Sequence, residues 1–136
     1  MRCHKFRYRN TTIVASGPPG AHDVVRRLYF TELCEATICW RPEADIYETD
    51  TVFTLLVELA GVPDESIDIL AFEDAVVIRG ERRLQCEAGA VFHTAAIRPG
   101  PFRLAVRLPA IVDPERAAAR YEHGLLRIVL PKTETR

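Results

Sequence analysis

The stretch that decides the fold is Arg120-Tyr121-Glu122-His123-Gly124-Leu125-Leu126-Arg127-Ile128-Val129-Leu130-Pro131-Lys132. Gly124 can take the positive φ that a tight turn requires, and the alternating residues behind it can face a core on one side, as a strand needs. Pro131 stops the strand. Alone, these residues make a hairpin.

Working upstream, the same grammar of short strands and turns reaches back to Ala44. The predicted strands are Asp45 to Glu48, Val52 to Leu59, Ser66 to Phe72, Ala75 to Arg79, Phe102 to Leu108 and Leu125 to Leu130. Between them lie Thr49-Asp50, Gly61-Val62-Pro63-Asp64, Glu73-Asp74, Gly80, Arg98-Pro99-Gly100-Pro101 and the run from Pro109 through Pro114. Each carries residues that favour turns. Repeated short strands with frequent breaks point to an all-β sandwich or barrel. In Ser66 to Phe72, Ile67, Ile69 and Ala71 share one face while Asp68, Leu70 and Phe72 share the other. One face must pack inward, which leaves the apolar side chains of the other available for a partner.

The first forty residues have a different texture: a basic opening, Gly17-Pro18-Pro19-Gly20, then Ala21 to Cys39. Asp23 can cap a short amphipathic helix carrying Val24, Val25, Leu28, Tyr29 and Leu33 at helical spacing. Trp40-Arg41-Pro42 closes this region, because a proline disfavours helix in the residue before it.

Totals narrow the function classes. The 136 residues, 48% hydrophobic and 27% charged, suit one globular domain. Eighteen basic residues against nineteen acidic ones give a charge of −1, so no positive excess points to nucleic acid or an anionic membrane. No apolar run reaches the roughly 18 residues of a membrane helix. The apolar stretch at Ile13-Val14-Ala15 is too short for a signal peptide, and a cytoplasmic location is expected. Cys3, Cys34, Cys39 and Cys86 are scattered without the spacing of a zinc site, so reduced thiols and no metal are expected. The glycines at 61, 80, 89, 100 and 124 are isolated and make no phosphate-binding loop, so no nucleotide or other cofactor is expected. His93, His123 and Cys86 have no orienting third group at a telling spacing, and no catalytic residue is assigned.

Asp45-Ile46-Tyr47-Glu48-Thr49-Asp50, Glu58-Leu59-Ala60-Gly61-Val62, Val77-Ile78-Arg79-Gly80-Glu81-Arg82 and Arg107-Leu108-Pro109 stand in order before the terminal hairpin. This succession closely resembles the α-crystallin domain of small heat shock proteins, the Hsp20 family, from about Trp40 to Lys132. The resemblance implies an immunoglobulin-like antiparallel β-sandwich at 40–132, with a variable, partly helical N-terminal arm at 1–39 and a short tail at 133–136. It also implies an ATP-independent holdase of the stress response that covers the apolar surface of unfolding client proteins without a chemical step.

Further expectations come with the resemblance. The loop from Arg83 to Arg98 is expected to lend Val91-Phe92-His93 as a strand to the Ile46-Tyr47 region of a second subunit, giving a dimer. Such pairing also protects strand edges. Ile69 and Ala71 on one side and Ala118 on the other are expected to form a shallow apolar groove for clients or a neighbour's tail. Leu28, Tyr29, Phe30 and Trp40 are the expected client contacts of the arm. Relatives carry an Ile-x-Ile tail segment, and the five residues after Pro131 do not, so a dimer or small assembly is expected. Leu104 stands where relatives tend to have arginine and Ala96-Ile97 where they often have Glu-Arg, a paired loss of charge that leaves the interface more apolar. A p23-like co-chaperone, or another non-catalytic binding module on the same sandwich, is the alternative reading.

Overall fold

The computed structural model describes residues 3–7 and 39–134, with side chains for the second range. Among the described residues, eight strands make two antiparallel sheets. The first sheet has the order β1-β4-β5-β6, from β1 (Cys3–Arg7), β4 (Asp68–Phe72), β5 (Ala75–Arg82) and β6 (Gly100–Arg107). The second has the order β2-β3-β8-β7, from β2 (Ala44–Glu48), β3 (Val52–Glu58), β8 (Leu125–Pro131) and β7 (Ala118–Glu122). The all-β sandwich expected from the strand pattern is the one observed.

The period-2 alternation sets which side chains meet between the sheets. Phe53, Leu55 and Val57 of β3 and Leu126, Ile128 and Leu130 of β8 point inward from the second sheet, and all six are buried. Ile69 and Ala71 of β4, Val76 and Ile78 of β5, and Phe102, Leu104 and Val106 of β6 answer from the first. Register locks these sets together, with Leu55 opposite Ile128, Ile69 opposite Ile78 and Ile78 opposite Leu104. A one-residue slip of any strand would turn its inward set to solvent.

Strand boundaries differ from those read in the sequence, most at β4, β5 and β6. The strand expected from Ser66 starts at Asp68, because Asp64–Ser66 forms a single 3₁₀ turn. Freed from the ladder, Ser66 uses its hydroxyl instead, accepting from the Glu81 N–H and donating to the Glu81 carbonyl, both at 2.9 Å. That side chain stands in for a missing strand neighbour and helps β5 run on to Arg82, paired across to Gly100 of β6. Periodicity does not mark β7, whose alanines and charged residues lack an apolar alternation. Nor does it mark β1, a basic pentapeptide that gains strand structure by pairing with β4. The helix expected within Ala21 to Cys39 falls almost wholly outside the described residues.

Candidate functional site

Two sheet edges and the loop between β5 and β6 hold the residues singled out from sequence. At one edge lies β2, hydrogen-bonded to β3 on one side and to no described strand on the other. Ile46 and Tyr47 are each 45% exposed there. The Tyr47 hydroxyl accepts a 2.8 Å hydrogen bond from the Arg127 guanidinium, which holds the ring against the outer face of β8. Ile46 borders a cleft of about 420 Å³ that Leu104 and Val106 floor and Arg41, Glu43 and Arg98 rim. The cleft is apolar at the bottom and charged at its lip.

The loop of residues 83–99 contains no strand within the chain, and Val91, Phe92 and His93 do not pair with β2. Val91 is 79% exposed and Phe92 66%, with Leu84 and Ile97 exposed beside them in sequence. Leaving four large apolar side chains in water on one loop is costly, at about 1.5–3 kcal/mol for each that could be buried. Exposed apolar side chains along one loop make it a candidate interaction surface.

Both ends of that loop are held by Arg82, which sequence reasoning did not single out as a site residue. Its Nε donates to the Arg98 carbonyl at 2.9 Å and its Nη1 to the Ala60 carbonyl at 3.2 Å. The guanidinium carbon lies 4.2 Å from the centroid of the Trp40 ring. Trp40 is itself pinned to β6: its indole N–H donates to the Gly100 carbonyl at 3.0 Å, its backbone pairs with Pro101 and Arg103, and its ring lies 5.2 Å from that of Phe102. Of the expected client contacts, Trp40 is therefore a half-buried structural anchor; Leu28, Tyr29 and Phe30 lie outside the described residues.

The opposite edge holds the residues expected to form a groove. Ile69 and Ala71 of β4 point into the core and are fully buried, while Ala118 on β7 is exposed. The edge of β4 that faces away from β5 is paired along its length with β1, Cys3 opposite Phe72 through Arg7 opposite Asp68. Here the chain's own N-terminal residues occupy the ladder of β4.

Nearby, the closing hairpin is locked onto the turn after β3. His123 and Gly124 both have positive φ, 52° and 78°, as a two-residue turn of the hairpin type demands. A Cβ on Gly124 would sit 2.9 Å from Cα of Ala60, so side chains are excluded by both space and conformation. The Leu59 N–H donates to the Gly124 carbonyl at 2.7 Å. The Tyr121 hydroxyl shares its proton between the carbonyls of Leu59, at 2.5 Å, and Val62, at 2.9 Å. Burial, reinforced by the Asp64 carboxylate, raises the Tyr121 pKa above the ordinary tyrosine value. Among the described residues, no three histidine, cysteine or acidic side chains gather as metal ligands would. No helix of the described residues is long and apolar enough to cross a membrane.

Comparison with known proteins places this geometry. The family model described as the Hsp20/alpha crystallin family matches residues 45–136. Small heat shock protein C2 of Rickettsia felis is 34% identical over 94 residues, which cover 68% of this chain and 61% of that one. Heat shock protein HSP.16.4 of Streptococcus thermophilus is 28% identical over 133 residues, 95% of this chain and 89% of that one. The match to the Rickettsia protein thus takes in only about three fifths of its length. Among solved structures, heat shock protein 16.0 from Schizosaccharomyces pombe superposes with a TM-score of 0.63 at 26% identity, covering 71% of this chain and 94% of that one.

Proposed function

The chain belongs to the Hsp20/alpha crystallin family, and from that premise we propose that it is an ATP-independent holdase that self-associates through β2 and binds unfolding proteins by apolar contact. The family is one of generally non-catalytic chaperones, and no chemical step is assigned to this member. The observation that carries the reading is the pairing of an open strand edge, with Ile46 and Tyr47 exposed, with a loop that shows Val91 and Phe92 to solvent in the same chain. An edge strand offers unpaired N–H and C=O groups, and an extended segment of another subunit can satisfy them by adding a strand.

In the proposed dimer, Val91-Phe92-His93 of one subunit extends along β2 of the other, and the cleft beside Ile46, Leu104 and Val106 receives apolar side chains of the incoming loop. Leu104 and Ile97 suit such a contact, since neither brings a charge that would need a buried partner. Residues 40–132 are proposed as the domain, 1–39 as the arm and 133–136 as the tail, in the cytoplasm. Ile69, Ala71 and Ala118 are proposed to mark the client edge at β4 and β7, with Ile69 and Ala71 shaping it from within and β1 displaced when a client is held there.

The test is light scattering from a heat-stressed client without nucleotide, run beside native mass measurement. Suppression near a one-to-one subunit ratio, by a species of at least two subunits, is the expected outcome. Scattering equal to that of the client alone would overturn the holdase reading. A monomer at micromolar concentration would overturn the exchange dimer.

A further inference from the structure

Ile46 belongs by register to the inner face of the second sheet and yet meets solvent. It stands opposite Leu55, which is 0% exposed, while Ile46 itself is 45% exposed. Opposed residues of an antiparallel pair share a face, so the difference lies in what stands across the sandwich. Among the described residues β2 ends the second sheet, and β6, but for its bridge to Trp40, ends the first. Between these two strands the layers part. The cleft of about 420 Å³ opens there, with Ala44 and Ile46 on one side and Leu104 and Val106 on the other. It is a side entrance to the core.

One end of this seam is strapped. Trp40 joins the first sheet, its N–H donating to the Pro101 carbonyl and its carbonyl accepting from the Arg103 N–H, both at 3.1 Å. Three residues later the Glu43 carbonyl accepts from the Glu58 N–H at 3.0 Å, and Ala44 begins β2. The chain thus crosses from one layer to the other between Trp40 and Glu43. Three residues reach at most about 10–11 Å, and packed sheets lie about 10 Å apart. A strap with so little slack passes any shift of Trp40 on to Arg41, Pro42 and Glu43, which form one lip of the cleft.

Arg98 forms another lip, and a single guanidinium joins the two. Arg82 donates from Nε to the Arg98 carbonyl at 2.9 Å, and its guanidinium carbon lies 4.2 Å from the centroid of the Trp40 ring. Its Nη1 ties the same group to the Ala60 carbonyl at 3.2 Å. We infer that the stack of Arg82 on Trp40 is the positioning element of the cleft, setting the separation of the lips at which an apolar side chain of a second copy enters. The inference rests on the proposed self-association through β2, and adds to it a pair of residues that do not line the cleft. Arginine suits the place because its fork bonds in its own plane and stacks by its face, so one group serves loop and ring together.

Sedimentation velocity of the full chain, beside hydrogen exchange at submicromolar concentration, tests it. Arg82→Ala and Trp40→Ala should each weaken self-association about tenfold, the scale of one cation–π contact. The double variant should be no weaker than either single one, as for two groups acting through one contact. The amides of Trp40, Arg103 and Glu58, whose bonds anchor the strap, should exchange faster in all three, while those of Leu55 and Ile128 keep their native protection. Trp40→Phe, which keeps a ring in the stack, should retain most of the native affinity. Should Trp40→Ala unfold the sandwich, Arg82→Ala alone decides. Self-association as tight in Arg82→Ala as in the native chain would overturn the inference and leave the dimer standing. Additive losses in the double variant, or equal loss of protection at Leu55 and Ile128, would overturn it too. A native chain that is monomeric at micromolar concentration would overturn the dimer reading and the inference with it.

Discussion

The guanidinium of Arg82 lies 4.2 Å over the ring of Trp40, at the point where the end of β5, the start of β6 and the turn after β3 converge. One side chain thereby fixes the exit and the return of the 83–99 loop. Arg82→Ala removes the stacking and leaves two carbonyls without their donor, a loss of about 1–3 kcal/mol for a partly exposed charged donor. Because Trp40 is the single tryptophan, its fluorescence reports the change directly. A red-shifted emission and faster exchange across residues 83–99 are expected. Arg82→Lys should restore little, since an ammonium cannot donate to both carbonyls from a planar fork. Unaltered emission in Arg82→Ala would remove the stacking from consideration.

Tyr121 links stability to alkaline pH. Its folded pKa is raised by burial and by Asp64, so the unfolded state ionises first as pH climbs above 10. Ionisation then favours unfolding, and the contribution of Tyr121, fully present below pH 10, is lost as pH rises through the folded value. Tyr121→Phe should cost about 1 kcal/mol at pH 8, where the hydroxyl bonds to Leu59 and Val62 are intact. The gap between variant and native protein should close above pH 10. Urea unfolding at pH 8 to 11 measures it, and parallel pH profiles would refute the assignment.

Gly80 admits no side chain. A Cβ there would lie 2.6 Å from Cζ of Phe102 and closer still to the Ser66 carbonyl oxygen. Gly80→Ala is expected to destabilise the sandwich by about 1–3 kcal/mol through overpacking. Gly100→Ala meets no neighbour and serves as the comparison, although its φ of 93° adds strain of its own. If Gly80→Ala melted at the native temperature, the ring of Phe102 would have to be freer to move than its full burial implies.

The proposed dimer has a clear prediction at β2. Ile46→Lys puts a charge at the cleft beside Leu104 and Val106, and Phe92→Asp puts one on the loop. Each should weaken self-association at least tenfold, measured by sedimentation velocity. Circular dichroism should be unchanged, because both residues are exposed in the single chain. Retained dimer in both variants would move the interface elsewhere.

How much of this could be read in the sequence depended on where the signal lay. Strands β3, β4, β5, β6 and β8 carry their own alternation, so Phe53, Leu55 and Val57 announce an inward face without help from the rest of the chain. Strand β1 carries none. Cys3 to Arg7 becomes a strand because the β4 edge supplies partners, a tertiary cause that local pattern cannot show. Ile69 and Ala71 looked suited to a groove wall for the same reason that they suit a core: a strand shows which residues share a face, not which face is inside. Leu70 and Phe72 show the converse, since the alternation assigns them to the outer face and yet both are buried. Arg82 was visible only as a letter in a family motif, because its role depends on Trp40, Ala60 and Arg98, brought together by the fold.

The placement of β1 and Trp40 has a consequence for how copies of this chain can connect. A two-sheet sandwich has four lateral borders: among the described residues β1, which covers β4, and β6, bridged at Phe102 by Trp40, end the first sheet, and β2 and β7 end the second. The borders formed by β2 and β7 lie on the same sheet. In the language of polymer chemistry, a subunit that added strands at those two alone would be a two-handed monomer whose hands reach out from opposite ends of one layer. Units of that valence join into pairs, rings or single-file rows, whereas branching would require strand addition at β1 or β6 as well.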